Sequence, residues 1–173
     1  MKLLFGLGLL LICSLLFGVS AFAQANPDIT LHKSCSLCGM SRDAFSFSRM
    51  VIEYDDGTVV AACSLHCAAL DLANNIDKTP KSIKVADFNG KQLIDAESAF
   101  WVIGGKRPGV MSKRGKWAFE KKEGAEGFIK SNGGALAGFE EAIKAAYEDM
   151  YEDTKMIRDK RKMMRSNKMG HKS

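Results

Sequence analysis

The chain has 173 residues, enough for one ordinary domain, and carries a formal net charge of +5. The excess is local, because residues 154–173 hold eight of the 25 Lys and Arg residues but only one of the 20 acidic residues. The rest of the chain is therefore not basic, which argues against a nucleic-acid partner. The basic tail is interpreted as a solvated end or as a segment that contacts acidic lipid head groups or an acidic partner.

The N-terminus has the pattern of a secretory signal peptide. Lys2 precedes an apolar run over residues 3–19, and Ala21-Phe22-Ala23 then supplies small residues at the positions that a signal peptidase recognises. We predict that residues 1–23 are a signal peptide, cleaved near Ala23, and that the mature protein is periplasmic or otherwise exported. Cys13 is not expected to be a lipidation site, because the bulky Ile12 precedes it and the apolar run continues beyond it.

Hydrophobic periodicity predicts an α+β fold of two small strand-strand-helix units. In the first unit, a polar leader over residues 24–33 precedes strands at 45–54 and 58–63, a helix that Ser64 caps, and a strand at 83–88. In the second, strands at 99–103 and 116–119 precede a helix at 123–131 and a strand at 136–139. The expected organisation is one metal-binding domain over residues 24–139, with units at about 35–90 and 91–139. A C-terminal helix and a basic, Met-rich tail follow over residues 140–173.

Four cysteines remain after export, in two pairs: Cys35 and Cys38, and Cys63 and Cys67. An even number in an oxidising compartment is typical of disulfides. The pairs also have metal-ligand spacing, since Cys-x-x-Cys converges from a tight loop and Cys63 and Cys67 lie one helical turn apart. With the neighbouring His66 they form a candidate tetrahedral zinc site, and two or three of them with a thioether would suit Cu(I).

Met40 favours copper over zinc. It follows Gly39, which allows the tight fold that returns the thioether toward Cys38. Thioethers are soft ligands that suit Cu(I). The alternative is that Met40 fills a gap in the core.

Several segments together resemble the NosL family, over roughly residues 35–139. They are CSLCGMSRDAF at 35–45, the hairpin with Asp55-Asp56-Gly57 at its turn, the helix start at 63–67, DAESAFWVIG at 95–104, PGVM at 108–111, WAF at 117–119 and Gly133-Gly134. The resemblance implies two small α+β units and an accessory protein that binds Cu(I) outside the cytoplasm. It also implies delivery of copper to a client enzyme, nitrous oxide reductase, together with a membrane transporter complex. The implied ligands are Cys38 and Met111, with Met40 as a further candidate.

The chain departs from the family pattern in three places. Family members are commonly lipoproteins, but no lipobox precedes Cys35. Cys63, His66 and Cys67 add donors beyond those that the family requires, as a second or shared site. The tail adds methionines and a histidine that can collect copper weakly or simply belong to an amphipathic or disordered end: Met156, Met163, Met164, Met169 and His171.

Two other functions compete with a copper carrier. One is a small exported binding domain that zinc or disulfides stabilise. The other is a thiol-disulfide oxidoreductase that uses Cys35 and Cys38, although such a motif needs a helix start just after a strand. No catalytic triad, phosphate loop or pair of catalytic carboxylates stands out, so a protein without enzymatic activity is expected.

Overall fold

A computed structural model describes the chain from residue 26 to residue 170, with side chains up to residue 167. The predicted signal peptide lies outside these residues. The elements, in chain order, are α1 (Pro27–Leu31), β1 (Met50–Tyr54), β2 (Val59–Ala62), α2 (Leu65–Asn74), β3 (Pro80–Ala86), β4 (Leu93–Asp95), β5 (Phe100–Ile103), β6 (Lys116–Phe119), α3 (Lys122–Asn132), β7 (Ala135–Ala137) and α4 (Phe139–Gly170). No helix within this part of the chain is long and apolar enough to cross a membrane. The α+β prediction is confirmed.

The first unit is a four-stranded antiparallel sheet in the order β2-β1-β3-β4, with α2 packed against it. β1 and β2 form the predicted hairpin, in which Gly57 adopts the positive φ of 81° that the tight turn needs. The inward residues of β1 are fully buried and pack with the apolar face of α2. Ser64 stands at the N-cap of α2 but makes no side-chain capping hydrogen bond.

The second unit is a three-stranded antiparallel sheet in the order β6-β5-β7, with α3 beside it. Trp117 and Phe119 of β6 and Phe128 of α3 form the centre of a small aromatic core. The ring centroid of Phe128 lies 6.2 Å from that of Trp117 and 5.5 Å from that of Phe119. Tilted aromatic pairs attract one another at these distances. This core is separate from the larger one beneath the first sheet.

The N-terminal half of α4 joins the two units. Phe139, Ala142 and Ala146 lie in the same core cluster as Cys63 and Trp101, because the small alanines allow α4 to approach both α2 and β5. The remainder of α4 continues as a helix through the basic segment to Gly170. The tail is therefore helical as far as the structure describes it.

Three expectations about local structure were wrong. Residues 45–48 form successive turns and not the start of β1, with Ser46 N–H donating to the Asp43 carbonyl and Ser48 N–H to that of Phe45. β4 was not predicted, since it is a three-residue edge strand whose pairing with β3 is tertiary. The polar leader at 24–33 contains the short helix α1, which was not predicted.

α1 is anchored by one carboxylate that serves two buried guanidinium groups. Asp28 accepts hydrogen bonds at 2.8 Å from Arg42 Nη2 and from Arg49 Nε. Both arginine side chains are almost completely buried. Burial alone would raise the pKa of Asp28, but the hydrogen bonds and charges of the two arginines outweigh it and hold that pKa below its usual value.

We predict that Asp28→Asn lowers the free energy of unfolding by about 3 kcal/mol, because it leaves two buried cations without their counter-charge. Urea denaturation at neutral pH measures the change. In the wild-type protein this contribution is present at neutral pH and is lost as the pH falls through the depressed pKa of Asp28.

The matched control is Asp43→Asn, because Asp43 is exposed and makes no ion pair within the described chain. It should change the stability by less than about 0.5 kcal/mol. Equal effects of the two substitutions would contradict the assigned role of Asp28.

Candidate metal centre

The first cysteine pair lies on a tight loop between α1 and β1. Cys35 N–H donates to the Met40 carbonyl at 2.8 Å, and Gly39 N–H donates to the Cys35 carbonyl at 2.9 Å. Gly39 closes this loop with a φ of 77°, a conformation that residues with a Cβ rarely adopt. The loop is fixed to β2 because Ser36 N–H donates to the Ala61 carbonyl.

The second pair lies where β2 passes into α2. Cys63 directly follows β2, and Cys67 lies in the first turn of α2. Ser48 Oγ donates to the Cys63 carbonyl at 2.9 Å, which fixes this junction to the turn before β1. Because the loop of the first pair is attached to the end of β2, the two pairs face each other.

The structure brings the four thiols into one group. Their Sγ atoms all lie within 4.8 Å of one another. Cys63 Sγ is 3.5 Å from Cys38 Sγ and 3.8 Å from Cys67 Sγ. A tetrahedral ion with bonds of about 2.3 Å to sulfur places its ligands about 3.8 Å apart. These separations exceed the roughly 2.05 Å of a disulfide bond, and all four cysteines are free thiols.

The thiols differ in accessibility and in acidity. Cys35, Cys63 and Cys67 are buried, whereas Cys38 is half-buried. Hydrogen bonds from Cys63 and then from Cys67 lower the pKa of Cys35, and the pKa values of Cys63 and Cys67 are correspondingly raised. A metal that uses all four sulfurs must therefore displace protons from the thiols.

Arg42 provides a positive charge beside this group. Burial lowers the pKa of Arg42, while the charges of Asp28 and of Cys35 oppose that shift. Arg42 Nε also donates to the Ala62 carbonyl at 3.2 Å, directly before Cys63. One guanidinium group thus fixes the end of β2 directly before Cys63 and places a positive charge near Cys35.

The predicted ligand His66 does not join the thiol group. The ligand atoms within 4.8 Å of one another belong to the four cysteines alone, among the residues that the structure describes. His66 Nδ1 instead lies 3.6 Å from Asp153 Oδ2 on α4, with both side chains buried. Burial lowers the pKa of His66 and outweighs the opposing charge of Asp153.

Met40 and Met111 lie together in a groove of about 820 Å³ beside the Cys38 loop. Met156 and Met164 of α4 line the same space, and we call it the methionine groove. Met111 has a φ of 59°, in the left-handed region that residues other than glycine seldom occupy. Of the tail residues predicted to collect copper, Met156 and Met164 line this groove, whereas Met163 is exposed outside it. The side chains of Met169 and His171 are not among those that the structure describes.

Ion pairs that sequence reasoning missed hold the Met111 loop against α4. Asp149 Oδ2 accepts hydrogen bonds from Lys116 Nζ at 2.7 Å and from Arg114 Nε at 2.8 Å. Asp153 Oδ1 accepts one from the backbone N–H of Lys113 at 3.0 Å. The signal that could have revealed them is the acidic pair one helical turn apart on α4, opposite a cluster of basic residues.

Comparison with known proteins supports the resemblance. A NosL family profile matches residues 26–147. The crystal structure of the copper chaperone NosL from Shewanella denitrificans is similar, with a TM-score of 0.52 and 26% sequence identity over 62% of this chain and 87% of that chain. No curated protein sequence matches.

We predict that Co(II) bound to the reduced protein shows the absorption of a four-thiolate tetrahedral site, since the sulfur spacing fits such a site. Cys67→Ser should reduce the sulfur-to-metal charge-transfer intensity and shift the ligand-field bands, and optical titration measures both. Met50→Leu is the matched control, because Met50 is fully buried in β1 and the exchange conserves volume without removing a thiol. Identical spectra for wild-type protein and Cys67→Ser would contradict a four-sulfur centre.

Proposed function

The chain belongs to the NosL family, and on that premise we propose that it is a periplasmic Cu(I)-binding accessory protein that delivers copper to a client such as nitrous oxide reductase. The observation that carries the proposal is the group of four free thiols with sulfur atoms within 4.8 Å of one another. Thiolates are soft donors that select Cu(I) and zinc over hard cations. The similar structure from Shewanella denitrificans is described as a copper chaperone.

The primary ligands in this proposal are Cys38 and Met111, with Met40 and Cys35 as secondary ligands. Cys38 is the one half-buried thiol of the group, and Met40 follows it by two residues. Both methionines line the groove beside the Cys38 loop. One thiolate and two thioethers would hold Cu(I) as a neutral unit, which limits the cost of burying the ion.

The remaining thiols and thioethers serve transfer in this proposal. Cys63 and Cys67 would provide a more buried, thiolate-rich position, as a shared or second site, and the thioethers a weaker and more accessible one. A carrier requires this gradation, because an ion that only buried thiolates held would leave slowly. His66 would act through its contact with Asp153 on α4 and not as a ligand.

The partners would be the client enzyme and a membrane transporter complex. The protein itself would carry out no catalysis. The basic segment of α4, which extends beyond the core toward Gly170, would meet acidic lipid head groups at the membrane where such a complex resides.

A zinc-stabilised binding domain is the second candidate, and one observation favours it. Four sulfurs at the spacing of a tetrahedron match a closed structural zinc site. Four thiolates around Zn(II) leave a charge of −2 and around Cu(I) a charge of −3. The buried group as a whole therefore suits zinc better, and copper would use only part of it.

The geometry does not favour a thiol-disulfide oxidoreductase. The nucleophilic first cysteine of such a motif is accessible at the start of a helix. Here Cys35 is only 3% exposed, and its loop precedes a series of turns. The helix that starts beside the thiols is α2, which carries Cys67.

We predict that the reduced protein binds Cu(I) in preference to Zn(II), and that Cys38→Ser combined with Met111→Leu lowers its Cu(I) affinity by at least about tenfold. Competition with a chromophoric Cu(I) chelator under anaerobic conditions measures the affinity. Zn(II) affinity in the double variant should fall less, because thioethers contribute little to zinc binding.

Met50→Leu is the matched control, since Met50 is fully buried in β1 away from the groove and the exchange conserves volume. Unchanged Cu(I) affinity in the double variant would overturn the ligand assignment. A preference of the wild-type protein for Zn(II) would favour the zinc-stabilised domain.

A further inference from the structure

The methionine groove has the size and lining of a site for bulky apolar groups. Its volume of about 820 Å³ lies in the range of roughly 300–1,000 Å³ that is usual for ligand sites. Phe45, Phe47 and Trp117 line it together with the four methionines. Methionine side chains are flexible and polarizable, so such a surface adapts to more than one apolar shape.

Every charged residue that lines the groove is cationic. They are Arg107, Lys113, Lys160 and Arg161. None has a carboxylate within 4.0 Å among the residues that the structure describes, although Arg114 and Lys116 nearby are both paired with Asp149. All four are exposed. The groove therefore presents positive charge that no ion pair in the described chain neutralises.

Two of these cations are held in place by the protein. The Arg107 guanidinium lies 5.0 Å from the ring centroid of Phe88 and 5.1 Å from that of Phe47, which positions it by cation–π attraction. Arg161 Nη2 lies 3.4 Å from the Cys38 carbonyl and connects α4 with the metal-binding loop. The basic rim and the most accessible thiol are thus neighbours.

One wall of the groove lies outside the part of the chain that the family profile matches. That match ends at residue 147, whereas Met156, Lys160 and Met164 come from the later turns of α4. These three residues are spaced four apart, so they share one face of the helix. The groove is therefore partly built by residues beyond the part of the chain that the family profile matches.

We propose that the methionine groove docks an acidic amphipathic segment of a partner protein, with apolar side chains in the groove and Asp or Glu side chains on its basic rim. The proposal rests on the proposed function insofar as it places that partner beside Cys38, where metal would be exchanged. Charge complementarity identifies the occupant. A concave site takes up side chains, whereas a bilayer surface meets a flat or convex basic face.

The test uses the full chain and two labelled helical peptides with the same Leu positions. All remaining positions are Glu in one peptide and Lys in the other. Fluorescence anisotropy at low salt should show binding of the Glu peptide and at least about tenfold weaker binding of the Lys peptide. Lys113→Glu with Lys160→Glu should weaken binding of the Glu peptide by about tenfold or more.

The matched control is Arg158→Glu with Lys162→Glu, which changes the net charge by the same amount as Lys113→Glu with Lys160→Glu. Both residues are exposed on α4 and neither lines the groove. Each lies two positions from Lys160, about half a turn round the helix. This pair should leave peptide affinity within about twofold of the wild type.

Vesicles of phosphatidylglycerol provide the second arm. Both pairs of substitutions should weaken vesicle binding equally, because each changes the net charge of the protein by the same amount and a lipid surface responds to charge and not to the groove. The proposal would be overturned if the Glu peptide did not bind or if the two peptides bound equally. It would also be overturned if both double variants lost the same affinity for the Glu peptide. If only Lys113→Glu with Lys160→Glu weakened vesicle binding, the groove would be a lipid-binding surface and the proposal would also be overturned.

Cu(I) competition titration of the same samples separates this proposal from the proposed function. Failure of the wild-type protein to bind Cu(I) while it still binds the Glu peptide selectively would refute the copper carrier and leave the docking site. Normal Cu(I) binding without selective peptide binding would refute the docking site alone.

Discussion

The position of the cysteines depends on two buried arginines that share one carboxylate. Arg42 binds Asp28 on α1, the Ala62 carbonyl at the end of β2 and the Met50 carbonyl at the start of β1. A guanidinium group has five donors in a rigid plane, so it can fix three backbone segments at once. The Cys35–Cys38 loop is joined to the same strand by Ser36 N–H, which donates to the Ala61 carbonyl. The metal centre is therefore preorganised by a charge network that contains no metal ligand.

A second set of ion pairs fixes the other side of the site. Asp149 and Asp153 hold the loop that carries Met111 against α4, and α4 contacts the Cys38 loop through Arg161. Thiols from the first unit, thioethers from the loop and from α4, and unpaired cations of the rim thus meet in one region. A soft-metal carrier that hands its ion to an acidic partner would need these three kinds of group close together.

Much of the fold could be predicted from hydrophobic pattern and turn residues. The hairpin at Gly57, the helix after Ser64 and the strand over Lys116–Phe119 all occur where periodicity and turn chemistry predict them. α1 was missed because its stability comes from the ion pairs of Asp28 and not from its own five residues, which are too few to form a helix alone. β4 was missed because an edge strand of three residues leaves almost no periodic signal.

The sequence by itself determined the donor chemistry: four cysteines in two metal-like pairs, a methionine beside one of them, and the resemblance that adds Met111. Only the tertiary structure decided which donors meet. It gathered the four sulfurs, turned His66 toward Asp153, and placed Met40 and Met111 in a groove with Met156 and Met164. The reason is that spacing along the chain fixes distances only within a loop or a helical turn. The Cys63 and Cys35 thiols, like Met111 and Met156, are brought together by contacts between distant segments.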